Sequence, residues 1–135
     1  MITPITMDGI TYRVRLVYDS MVLSFELLEG PNEGTMLSGY HERDLQGTKY
    51  GHSMKVEPDP AFPEDFDAFF HDLSAPVNSH HVELPYGQGT ITYDAEIQDG
   101  EVTSGGKLLG KNRWHGLTVN YIPIEPQREP EDDEP

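Results

Sequence analysis

The chain has 135 residues, no cysteine and a formal charge of −15; the length fits one domain, and the missing cysteine removes disulfides, thiolate chemistry and cysteine-ligated metals together. Nucleic-acid affinity comes mainly from Lys and Arg neutralising phosphates, so a surface this acidic argues against sequence-specific nucleic-acid binding. The apolar share of 36% reaches the lower end of the ordinary range once the 13 glycines are counted, so the body is expected to fold around a core.

Strand signals come first along the chain. Asp8-Gly9 is a type I′ hairpin signal that pairs Ile2 to Met7 with the run after it. In that run Ile10, Tyr12, Val14, Leu16 and Tyr18 share one parity, against Thr11, Arg13 and Arg15 on the other, the period-two pattern of a half-buried antiparallel strand. A second run sets Leu23, Phe25 and Leu27 on one face before Gly30-Pro31-Asn32-Glu33-Gly34 forces a turn. Thr35 to Gly47 is less regular and reads as a short strand followed by a loop or helical turn, with a charged cluster at His41-Glu42-Arg43-Asp44. Tyr50, His52, Met54 and Val56 resume strand parity until Pro58-Asp59-Pro60 ends it.

One helix is expected, over about 63–74. Pro63 suits the first helical position, Glu64 and Asp65 sit where the macrodipole favours anions, and Phe66, Phe69, Phe70 and Leu73 recur at helical spacing until Pro76. Three phenylalanines on one stripe imply a helix that lies across a sheet or barrel mouth and seals the core. A hairpin follows: Val82 and Leu84 lead into a five-residue turn, Pro85 to Gly89, and Ile91, Tyr93, Ala95 and Ile97 return inward. Asp99-Gly100 and Gly105-Gly106 punctuate a looser, mobile excursion. The last strand runs from about Trp114 to Ile124, with Trp114 off the parity of Leu117, Val119 and Tyr121. Either a bulge near Gly116 buries the indole or it is exposed for a partner.

The expected fold is therefore mainly antiparallel β, a barrel or a sandwich with one flanking helix, in a single domain over 1–126. Glu125 to Pro135 holds six acids and one Arg, which gives −5 and leaves −10 for the body. With three prolines and no other apolar side chain, this tail cannot recover its ordering entropy by burial, and disorder is expected from about Gln127.

The motif search returns no P-loop, dinucleotide fingerprint, zinc His-Glu-x-x-His pattern, EF-hand or nucleophile elbow. The nearest approach to a metal site is His80-His81 with Glu83, where His81 and Glu83 share a strand face but lack a third ligand; solvated strand residues are the better reading. The His41 to Asp44 cluster reads as a salt-bridged surface rather than an acid/base pair. No catalytic residue, metal or cofactor is expected. No run of about 18 apolar residues is available to cross a bilayer, and MITPITMDGI lacks the basic start and apolar core of a signal peptide, so the chain reads as cytosolic at synthesis with no membrane partner.

The blocks FELLEGPNEGTMLSG, DLQGTKYGHSMKVEPDP, FDAFFHDLSAPVNSHHVELPYGQGTITYDAEI and NRWHGLTVNYIPIEPQR cover most of the chain. In the order and spacing of DAFF, LSAP, LPYGQ and NRW, they resemble small tail-region structural proteins of phages and prophages of Gram-positive bacteria. The resemblance implies a non-enzymatic virion subunit of distal-tail, baseplate or tail-tube type, made in the host cytoplasm. Such subunits assemble with other tail proteins and as a homo-oligomeric ring around the DNA channel. The short chain favours the distal tail or baseplate, and negative walls would keep DNA from adhering. Assembly is expected through strand edges and the loops Thr35 to Lys49 and Gln98 to Lys111, with Tyr40, Arg43, Tyr50, Tyr86 and Trp114 as the protein-interaction residues. The alternatives are a carbohydrate- or receptor-binding module with Trp114 and Tyr86 on one open face, a head-to-tail completion adaptor, an acidic DNA-mimic inhibitor, and, least favoured, a small hydrolase built on His80 and His81.

Overall fold

A computed structural model describes residues 3–29, 34–35, 41–42 and 45–130. In chain order the elements are β1 (Thr3–Met7), β2 (Ile10–Leu16), β3 (Val22–Glu29), β4 (Gly34–Thr35), β5 (His41–Glu42), β6 (Leu45–Pro58), α1 (Pro63–Leu73), β7 (His80–Tyr86), β8 (Gly89–Glu96), β9 (Thr103–Leu108), β10 (Lys111–His115) and β11 (Leu117–Pro123). The principal sheet runs β11-β8-β7-β1-β2-β6-β3, and a β11–β6 pairing closes six of these strands into an antiparallel barrel. Barrel therefore replaces the open choice between barrel and sandwich. β4 and β5 form a short ladder of their own, as do β9 and β10.

Local chemistry builds the two sharp hairpins. Asp8 (φ 55°) and Gly9 (φ 80°) both sit in the left-handed region and set Met7 opposite Ile10, as a type I′ turn requires. The β7–β8 turn is tighter than expected: Tyr86 pairs with Gly89, so only Gly87 and Gln88 connect the strands. Gly87 alone takes a positive φ there, 57°, the pattern of a type II′ turn.

The barrel is filled by its own side chains. Tyr12, Val14, Met54, Val56, Val82, Leu84, Tyr93, Ala95, Val119 and Tyr121 form one buried cluster, and α1 adds Phe66, Phe69 and Leu73 to it. The inward face of a closed barrel can be reached only through a mouth, so α1 seals one end, as its aromatic stripe predicts. Burying each of these helix side chains contributes roughly 1.5–3 kcal/mol. The Phe69 ring meets Tyr12 edge-on at 5.2 Å. Outside, Asp65 holds the first turn of α1 onto β2: it accepts from the Arg13 backbone N–H (2.9 Å), Nε (2.8 Å) and Nη2 (3.1 Å).

Two expectations about the second half change. Gly105 and Gly106 lie inside β9 of a paired hairpin, where its register shifts, rather than in a loose excursion, and the turn falls at Leu109-Gly110 (φ 52° and 78°). The single strand expected over Trp114 to Ile124 is two strands, parted at Gly116, whose φ of 79° swings β11 out of line with β10. Trp114 thus belongs to β10, where a register shift between Asn112 and Trp114 turns its ring partly onto the core.

Candidate functional site

The longest strand is the key to the surface. β2 and β3 lie end to end along one edge of β6, β2 opposite Val56 to Pro58 and β3 opposite Leu45 to Ser53. On the other edge β11 covers only His52 to Val56. Beyond His52 the sheet leaves the barrel as an arm. Leu23, Phe25 and Leu27 stand opposite His52, Tyr50 and Thr48, on the face that would continue the barrel interior. Their shared parity is as the sequence implies, but the face is open: Phe25 is 69% exposed, and Leu23 and Leu27 are exposed too. Among the described residues, β3 pairs with β6 alone, which leaves its outer edge unpaired.

The edge of β6 that β11 leaves uncovered is covered by the chain's own C-terminal segment. The Thr48 N–H donates to Arg128 O (2.8 Å) and the Gln127 N–H to Thr48 O (3.1 Å). The Gln127 side-chain amide acts as a substitute peptide: Oε1 accepts from the Tyr50 N–H (2.9 Å) and Nε2 donates to Tyr50 O (2.7 Å). Order therefore does not stop at Gln127, because that amide matches the strand edge without any apolar burial. Residues 131–135 lie outside the described residues. Gly47 accommodates this strap, since a Cβ there would meet Arg128 O at 2.7 Å and Pro126 Cβ at 2.8 Å.

Of the five residues expected to carry protein contacts, Tyr40 and Arg43 lie outside the described residues. Tyr50 and Tyr86 are brought together at the base of the arm, rings edge to face at 5.1 Å. Their hydrogen bond holds the Tyr86 hydroxyl above its ordinary pKa. Trp114 is elsewhere. It lines an open groove of about 790 Å³ with Pro58, Pro63, Phe66, Leu108 and Leu109, between the start of α1 and the β9–β10 hairpin. Pro58 and Tyr50 are eight strand positions apart, roughly 26 Å along β6. Trp114 and Tyr86 therefore do not share one open face.

The buried polar groups are spent on structure. His52 sits behind Tyr50, stacked on Tyr93 with ring centroids 5.7 Å apart. Pro85 O can only accept, so His52 Nε2 carries the proton it donates there (2.8 Å), and Nδ1 accepts from the Tyr93 hydroxyl (2.8 Å). Burial holds the His52 imidazole below its ordinary pKa and pushes the hydroxyls of Tyr12, Tyr93 and Tyr121 well above theirs. Asp8 accepts from His80 Nδ1 (2.6 Å) and the His81 N–H (2.8 Å). Burial opposes its charge, but those bonds prevail and hold the carboxyl below 3.8.

His80 is buried and His81 exposed, on opposite faces of β7, so the two imidazoles cannot converge on one ion. His81 instead meets Asp94 across the hairpin at 3.0 Å. Among the described residues no group of three or more His, Asp or Glu side chains is placed to hold a metal ion. His80 Nε2 is buried without a hydrogen-bond partner.

Sequence reasoning missed three features: the exposed arm, the Gln127 strap and the leucine hairpin tip. The tip had one local signal, Leu109-Gly110 between Lys107 and Lys111. No known family model matches the chain, and no curated protein matches its sequence.

Proposed function

We propose that this chain is a non-enzymatic structural subunit of a phage tail, at the distal tail or baseplate or in the tube, that works by assembling into a ring around the DNA channel. The observation that carries the reading is the β3–β6 arm, where a row of apolar side chains, on a strand that pairs with β6 alone among the described residues, stands clear of a barrel whose interior is already full. An open apolar edge strand invites pairing with another chain, and soluble proteins otherwise blunt such edges with charge, proline or a cover. The structural use of His52 and of the Asp8–His80 pair supports an assembly role over a catalytic one. The acidity of the body suits a wall past which DNA slides.

The test is the solution mass of the purified chain by light scattering across a concentration series, with negative-stain imaging of the large species. Rings or stacked tubes are the expected result. A monomer at every concentration would remove self-assembly from the reading.

A further inference from the structure

The strap on β6 is held as a ligand is held. Gln127 and Arg128 meet every backbone N–H and C=O of Thr48 and Tyr50, and Gly47 lies buried beside them with no room for a Cβ. All of these bonds run to β6, so they are the same whichever copy of the chain supplies the segment. The link to the barrel is short. In the register of β11, where Tyr121 faces His52, Pro123 would face Tyr50 and Glu125 would face Thr48. Pro123 has no N–H to give, so β11 cannot run on along β6. Thr48 faces Arg128 instead, three residues later. The Ile124 N–H donates to Asp94 O (3.1 Å) and Gln127 is the next residue to bond, which leaves Glu125 and Pro126 as the link. To return to its own β6 the chain bends at Ile124 and Glu125, although a residue before proline favours extended backbone.

We infer that this link opens and that the strap of one copy fills the β6 edge of the next, Gln127 and Arg128 lying against Thr48 and Tyr50 of the neighbour. Extended, the steps from Pro123 to Gln127 span roughly 13 Å, enough to cross to a chain packed against this edge. The exchange keeps every hydrogen bond of the closed strap and releases the bend before Pro126. An identical element traded between protomers is a low-cost route to assembly. Donor and acceptor are different surfaces, so a strap passed onward from copy to copy builds a ring. This inference rests on the self-assembly reading and names the contact that performs it.

The chain has no cysteine, so the test is a full chain that carries Thr48→Cys and Arg128→Cys together. Directly opposed residues of an antiparallel pair lie about 5.5 Å apart at Cα, within reach of a disulfide. After mild oxidation, a denaturing gel without reductant separates the two sources of the strap. Dimers and larger species linked between copies are the expected result, and adding Gln127→Pro, which removes both the N–H and the amide, should abolish them. In sedimentation velocity Gln127→Pro alone should self-associate roughly tenfold more weakly than the parent. Thermal melts would confirm that each variant is folded. If only internally linked monomer forms while the parent assembles, the inference falls and the assembly reading stands. Absence of any link in a folded chain, or a Gln127→Pro chain that assembles as tightly as the parent, would also overturn it. A parent chain that stays monomeric would overturn both.

Discussion

The two halves of β6 share one alternation and differ in fate. From His52 to Val56 the even positions point into the barrel and are buried, because β11 runs along the whole of one edge, β3 and then β2 take over the other at Ser53 and Val56, and the sheet curls shut around them. From Leu45 to Tyr50 the same side continues, flanked by β3 and only by Gln127 and Arg128 on the far edge. That ribbon is too narrow to close. Parity thus decides which face a side chain takes, and closure decides whether the face is covered. Phe25 and Phe69 make the contrast concrete, one on the open ledge and one plugging the barrel mouth.

The largest effect is expected from that pair of phenylalanines. Phe69→Ala should cost about 3–5 kcal/mol, since it empties a fully buried site between α1 and Tyr12. Phe25→Ala should change stability by less than about 0.5 kcal/mol in the same urea titration. A comparable loss at Phe25 would break the comparison, because it would mean that the ledge is already covered in the monomer.

His52 marks the boundary between the two halves and should show the next largest effect. His52→Leu leaves Pro85 O and the Tyr93 hydroxyl without their partner, at a cost of about 1–3 kcal/mol. The pH dependence sharpens this. Burial lowers the folded-state pKa of His52 below 6.5, so the unfolded chain binds the extra proton first. Stability from this group is complete above pH 6.5 and declines as the pH falls from there through the folded value. The parent should therefore melt lower at about pH 5.5 than at about pH 7.5, and His52→Leu should lose part of that slope. Asp8 and Asp65 act in a separate window. Their pKa values are lowered from 3.8, Asp8 by hydrogen bonds that outweigh burial and Asp65 by Arg13, so what they contribute is present above that value and lost as the pH falls through the folded ones. An unchanged slope in His52→Leu would mean that the histidine titrates freely.

A smaller effect tests the strap. Gly47 has φ 134°, and a Cβ would press on Arg128 O and Pro126. Gly47→Ala should detach Gln127 and Arg128 from β6, with global stability down by about 1 kcal/mol. The sharper readout is hydrogen exchange: the Thr48 and Gln127 amides should lose protection by roughly tenfold, while those of Met54 and Val56 stay protected. Uniform loss along β6 would show that the two halves unfold as one unit.

How far the sequence reached follows the range of each interaction. The Asp8-Gly9 turn, α1 and the β7–β8 pair rest on neighbours within a few residues, and turn chemistry and periodicity announce them. Barrel closure rests on Leu117 meeting Val56, which no local pattern states. The Gly105-Gly106 pair drew the expected break away from the real turn, since a leucine at a positive φ is the less expected choice. Tyr50 and Tyr86 are both expected among the protein-contact residues, but their contact with each other depends on where the arm leaves the barrel. The strap was invisible because Gln127 binds through a side-chain amide, whereas the expectation of disorder weighed only apolar burial.

The smallest effect is expected at the other end of β6. Lys111 Nζ lies 3.9 Å from Glu64 Oε1, with both side chains at least 70% exposed. At that separation in water the attraction is screened and is offset by the entropy of holding two long side chains. Lys111→Ala should leave the melting temperature of the monomer unchanged within error. A clear fall would mean that this pair fastens the β9–β10 hairpin to α1, and the leucine tip would then be a braced part of the body. An unchanged melt, with weaker self-association of the same variant, would place Lys111 with Phe25 among the groups whose partner lies outside the monomer.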